Sequence, residues 1–236
     1  MLEFTGQVVI ITGAGGNLGS AIAQALARQG ATLALADMRQ PSLERTLAGM
    51  SVTEHVMIAG ADVRTREGAV RIAAETMARF GRIDALANTV GTFKMANVAD
   101  GAADDWSQLM DLNALSALRL SEAVLPAMRS RSYGRIVHVS AGAAQKSFAG
   151  AAVYAASKAA VLRITEAVSE ENKGQGVTAN CILPGTIDTP QNRAAMPTAD
   201  YTLWVSPADI AAVVTFLVSR EAGAVTGAAV PITGRH

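Results

Sequence analysis

The chain has 236 residues, half of them hydrophobic, and its 20 Lys and Arg balance 20 Asp and Glu to a formal net charge of zero. That length and apolar content suit one α/β domain over 1–236 with a sizeable core. The lack of any basic block argues against a nucleic-acid or anionic membrane surface and for a small neutral or zwitterionic partner. No apolar run approaches the roughly 18 residues of a bilayer span, and Glu3 stands where a basic leader would begin, so a cytoplasmic setting is expected. Cys181 is alone in the run TANCIL, and His55, His138 and His236 share no ligand-like spacing, so neither a disulfide nor a metal site is expected.

Strand-like runs fall at Val8–Thr12, Thr32–Ala36, His55–Ala59, Ala85–Ala87, Arg135–Val139, Val177–Leu183 and Ala228–Ile232. Helical patterns occupy Leu18–Gln29, Leu43–Ala48, Arg66–Phe80, Asp104–Arg129, Val153–Asn172 and Pro207–Ser219. Regular alternation predicts a doubly wound, Rossmann-type parallel sheet of seven strands with helices on both faces. Pro126 is expected to kink or end the fourth helix.

Two stretches carry chemistry. VVIITGAGGNLG, Val8 to Gly19, joins a β-branched run to Gly13, Gly15, Gly16 and Gly19 and then to an alanine-rich helix pattern, as a strand, turn and helix start suited to a pyrophosphate would. An ordinary β–α turn is the alternative. Asn17 and Leu18 interrupt the glycines, and asparagine tolerates the left-handed region better than most side chains. Further on, Tyr154 and Lys158 are four apart, one helical turn on the same face. An ammonium beside a phenol favours the phenolate, so the pair is expected to be a proton donor with a lowered pKa and its tuner. A solvated lysine beside a half-buried tyrosine is the competing explanation.

The second strand runs into Asp37, which can accept ribose hydroxyls and repel a 2′-phosphate. It favours NAD(H), while Arg39 leaves NADP(H) open.

With TGxxxxxG, the YxxxK pair and PGTIDT near the end, the chain resembles the short-chain dehydrogenase/reductase family over nearly its whole length. The resemblance implies that Asp62 and Val63 contact the adenine and that Asn88 and Gly91 keep two positions of a segment usually read NNAG. It further implies that Asn113 organises a proton relay, that Lys158 holds the nicotinamide ribose, and that Pro184, Gly185, Ile187 and Thr189 lie by the nicotinamide. Tyr154 would be the catalytic acid, and subunits would pair into a homodimer or homotetramer through the long helices.

Two departures stand out. Where the family places a serine, 13 residues before the tyrosine, stands Ala141; Ser140 is one position early, and Ser140 or Ser147 is the only nearby stand-in. Asp188 to Trp204, DTPQNRAAMPTADYTLW, resembles the tail of the dihydropteridine reductases, a divergent branch that also has alanine there. The expectation is therefore hydride transfer to a small conjugated substrate, such as one like a dihydropteridine. The alternatives are a carbonyl or 3-oxoacyl reductase or secondary-alcohol dehydrogenase, and a non-catalytic NAD(H)-binding sensor or assembly subunit.

Overall fold

A computed structural model describes residues 2–50 and 54–234; His236, considered above as a ligand, lies outside them. Seven strands form one parallel sheet: β1 Val8–Thr12, β2 Thr32–Asp37, β3 His55–Ala59, β4 Ala85–Asn88, β5 Gly134–Val139, β6 Val177–Pro184 and β7 Ala229–Ile232, in the order β3-β2-β1-β4-β5-β6-β7. β1, in the middle of the sheet, is apolar over Val8–Ile11 because both its faces are covered, and all five of its residues are buried.

Side-chain alternation along β1 divides the core. Val9 and Ile11 join Ile22 and Leu26 of α1 (Asn17–Ala27), Leu43 of α2 (Gln40–Ala48) and Ile210 and Val214 of α8 (Pro207–Leu217). Ile10 joins Ile72 of α3 (Arg66–Phe80), Leu120 and Val124 of α5 (Ser116–Ser130) and Val168 of α6 (Ala152–Asn172). Successive residues of one strand thus feed opposite layers.

Several boundaries differ from expectation. β2 and β4 each continue one residue further, to Asp37 and Asn88, and α2 begins at Gln40 because Pro41 is harmless in a first turn, where its missing N–H has no partner to lose. The single helix expected over Asp104–Arg129 is instead a short 3₁₀ turn, then α4 (Trp106–Leu109), a π-helical stretch Met110–Leu115, and α5. Pro126 does not end α5; it sits on the exposed side, where water can take the carbonyl it leaves unbonded. An unexpected helix, α7 (Pro190–Ala195), starts on Thr189, whose hydroxyl accepts the Asn192 N–H at 3.2 Å.

Candidate active site

The strand order reverses between β1 and β4, and the carboxyl ends of β1, β2, β4, β5 and β6 open into a cleft there, the usual ligand position in such sheets. At its floor the chain leaves β1 through Gly13, at φ +70°, where a side chain would fall 2.8 Å from Thr89 Oγ1. A Cβ at Gly19 would fall 2.2 Å from the Gly13 carbonyl, so the turn can close onto α1 only with glycine at both ends. Gly15 donates its N–H to Asp37 Oδ2 at 3.1 Å, and Arg39 donates its N–H to Oδ1 at 3.1 Å. Asn17 is not in the left-handed region expected to justify it: it is the first residue of α1, following Gly16 as N-cap. Leu18 packs against the core, so only its backbone faces the turn.

Along the cleft, Asn88 Oδ1 accepts the Thr12 hydroxyl at 2.8 Å and the Val90 N–H at 3.2 Å. Its Nδ2 lies 3.3 Å from His138 Nδ1, and His138 Nε2 lies 3.0 Å from Ser121 Oγ. Ser121 donates its own hydrogen to the Ala117 carbonyl at 2.9 Å, so it must accept from Nε2–H, and Nδ1 is left to accept from Asn88. Burial, and then the charge of Lys158, pull His138 down to about 4, which keeps this neutral tautomer. Asp62 is committed to Arg64 in a fork closing at 2.7 Å, and Val63 is buried in the second core layer.

The other wall is a bonded cluster. Asn113, buried within the π-helical stretch, accepts the Thr92 N–H at 2.7 Å and donates to the Thr92 carbonyl at 3.0 Å and to Ser157 Oγ at 2.9 Å. Ser157 in turn donates to the Tyr154 carbonyl at 2.7 Å. Lys158, 5 % exposed, donates to the Val139 carbonyl at 3.0 Å, and its Nζ stands 6.0 Å from the Tyr154 ring centroid. A Cβ on Gly91 would come within 3.0 Å of both Asn113 Oδ1 and Lys158 Nζ, which explains the glycine.

The expected acidification of Tyr154 is not met in this geometry. Burial pushes the phenol up to about 12 and the Lys158 ammonium down to about 8. At this depth the loss of solvation outweighs an ammonium 6.0 Å from the ring.

Ser140 donates its hydroxyl to the Lys158 carbonyl at 2.8 Å and is buried, so it is turned into the backbone of α6. Ala141 follows it, and Ser147 lies exposed in the loop before α6. Phe93 packs edge-on against Tyr154 with ring centroids 4.7 Å apart, and Phe93, Met95 and Phe148 are exposed around it.

At the far lip, Pro184 closes β6 and Gly185 donates its N–H to the Ile232 carbonyl at 2.9 Å. Ile187 forms a bridge with Val205, and Thr189 caps α7. Ser157, Thr92, Phe93 and His138 were missed as site residues by sequence reasoning. Only Ser157 carried a local signal, its place beside Lys158.

Among the described residues no group of His, Cys, Asp and Glu could hold a metal, and no helix is long and apolar enough to cross a membrane.

A doubly wound sheet with a glycine turn after β1 and a Tyr–Lys pair at the carboxyl end of β5 is the arrangement of a class of oxidoreductases, and comparison with known proteins agrees. The profile of the short chain dehydrogenases matches residues 7–200. The chain belongs to the short-chain dehydrogenase/reductase family. It is 32% identical to 2-(S)-hydroxypropyl-CoM dehydrogenase 3 of Xanthobacter autotrophicus, over 97% of this chain and 95% of that one. An uncharacterized oxidoreductase of Bacillus subtilis is 28% identical, over 99% of this chain and 97% of its own. Among solved structures, levodione reductase superposes with a TM-score of 0.91 at 30% identity, covering 98% of both chains. NAD+-bound xylitol dehydrogenase gives 0.88 at 28%, covering 98% of this chain and 99% of that one.

Proposed function

We propose that this oxidoreductase uses NAD(H) to reduce a small, planar, conjugated substrate of the dihydropteridine kind, with Tyr154 giving the proton. The observation that carries the reading is the chain of bonds from Asn113 through Ser157 to the Tyr154 carbonyl, with the Lys158 ammonium 6.0 Å from the Tyr154 ring, in a protein that has Ala141 where the family resemblance calls for a hydroxyl.

A dinucleotide fits the residues present. The glycine turn from Gly13 to Gly19 packs against Thr89, Ser42 and its own Gly13 carbonyl too closely for side chains, and it leads straight into the first turn of α1, where the Asn17 and Leu18 backbone N–H groups can face an anionic pyrophosphate. Asp37 keeps free lone pairs after bonding two backbone N–H groups, enough to accept a ribose hydroxyl, and its charge disfavours a 2′-phosphate. Arg39 beside it is the group through which NADP(H) would be tolerated. Val63, Asn88 and Gly91 belong to the adenine side and the middle of the cleft; Pro184, Gly185, Ile187 and Thr189 belong to the nicotinamide end. When bound, the nicotinamide supplies the hydride, and the protein supplies position and charge.

Tyr154, with its pKa raised, is a neutral phenol at physiological pH and therefore a donor, which suits reduction. Lys158 remains charged near neutrality and stabilises the phenolate left behind. Asn113, bonded through Ser157 to the Tyr154 turn, keeps the relay in register. Ser140 has spent its hydrogen, so no serine steadies a developing alkoxide. A conjugated C=N accepts its proton on nitrogen and needs such help less. The mouth matches: Phe93 and Phe148 offer ring faces, and Lys94 is neutralised by Asp105 at 2.6 Å.

A ketone or secondary alcohol is the second reading, favoured by the names of the relatives, with exposed Ser147 as donor. Oligomerisation through α5 and α6, where Leu118 is exposed, belongs to either. The test is steady-state NADH oxidation with quinonoid dihydropterin and with a ketone and 3-oxoacyl panel. Pterin turnover is expected, falling by about 10²–10⁴ in Tyr154→Phe while NADH binding persists. Turnover of ketones alone would select the second reading. Tight NADH binding with no turnover of any substrate would mark a sensor or assembly subunit.

A further inference from the structure

One contact joins the glycine turn to the far lip of the cleft from distant parts of the chain. Asn17 Nδ2 donates to Gln191 Oε1 at 2.7 Å across 174 positions of sequence. Asn17 opens α1 directly after the glycine turn, and Gln191 lies in the first turn of α7, beyond the Pro184–Thr189 lip. Both side chains are exposed.

Neither partner is loosely presented. On the α7 side, the Asp188 carboxylate takes both Arg193 Nε and Nη2, at 2.6 and 2.7 Å, and Asn192 Nδ2 donates to the Ile187 carbonyl at 2.8 Å. On the glycine side, Gly16 donates to the Gly13 carbonyl at 3.0 Å, Ser20 to the Gly16 carbonyl at 2.9 Å, and Gly15 to Asp37. Gly15, Gly16 and Asn17 meet Asp188 and Pro190 around a cavity of about 390 Å³ that extends between α1, α2 and Pro207, so the contact stands where the glycine turn approaches the lip. The amide pair is uncharged, so it offers an anion little attraction of its own. What it does is close a gap between two held elements.

We propose that Asn17 and Gln191 form a clasp across the dinucleotide cleft, which must open for the bound nicotinamide dinucleotide to leave and so slows its release. The clasp rests on the reading of the cleft as a dinucleotide site. It also gives Asn17 a role that backbone conformation does not.

The experiment is stopped-flow displacement of NADH, followed by its fluorescence and requiring no turnover. Asn17→Gly and Gln191→Ala should each speed dissociation by about three- to tenfold, as loss of one hydrogen bond of typical net strength would. The double variant should be no faster than either single one, because both remove the same bond. The exchanged pair, Asn17→Gln with Gln191→Asn, should return towards the wild-type rate, a recovery that misfolding would not produce. Release rates within about twofold of wild type in both single variants, or accelerations that multiply in the double, overturn the clasp alone. Wild-type protein that binds no NADH overturns the cofactor reading and the clasp together.

Discussion

On the proposed function, the choice of substrate turns on Ala141. It is 8% exposed and its neighbour Ser140 is bonded to the α6 backbone, so adding a hydroxyl at 141 is the direct way to restore a donor at that position. Ala141→Ser is expected to leave pterin turnover little changed and to raise ketone turnover by about 10²-fold, the usual worth of one oxyanion donor. Steady-state kinetics on both substrates checks this, and no gain with any ketone would remove the missing serine as the limiting group. The count from Tyr154 puts Ala141 where the resemblance expects a serine, and Ser140, one residue earlier in an extended chain, faces the other way. It could not say where Ser140 pointed, because its acceptor, the Lys158 carbonyl, is 18 residues away.

At the scale of elements, the π-helical stretch matters most. Six residues, Met110–Leu115, depart from α-geometry, and π-turns within helices often mark functional sites. Here the widened turn carries Asn113, whose amide bonds both the N–H and the carbonyl of Thr92 as well as Ser157. Asn113→Ala would remove its bonds to the half-buried Thr92 backbone and to the buried Ser157 hydroxyl and should destabilise the fold by about 1–3 kcal/mol, measured by denaturant unfolding. No loss of stability would mean the bonds are not needed to hold the loop. The helical pattern through Asp104–Arg129 gave no warning of the interruption, because a π-helical stretch keeps the chain helical across it. Asn113, a poor interior helix former, sits at the irregularity.

At the scale of the whole molecule, a polar thread crosses the sheet from Thr12 through Asn88 and His138 to Ser121, tying β1, β4, β5 and α5. His138 must be neutral for this thread to hold. Its pKa falls from 6.5 unfolded to about 4 folded, so the unfolded chain binds the proton first. The fold is therefore unpenalised above about pH 6.5 and loses stability as pH falls from there towards 4. Thermal unfolding across that window should show a decline that His138→Asn flattens, since a side-chain amide can bond but does not titrate. An equal decline in the variant would assign the acid sensitivity to carboxylates instead.

What the sequence determined by itself was local or periodic. The alternation of apolar strands and helices dictated a parallel sheet, the glycine spacing dictated a tight turn into α1, and the Tyr154–Lys158 interval dictated a shared helical face. The tertiary structure alone decided which groups meet across long separations: Asn17 with Gln191, Asn113 with Thr92 and Ser157, His138 with Asn88. It also decided that Tyr154 is made less acidic rather than more, because solvation depends on depth of burial, and depth is set by every element packed around a residue rather than by its neighbours in the chain.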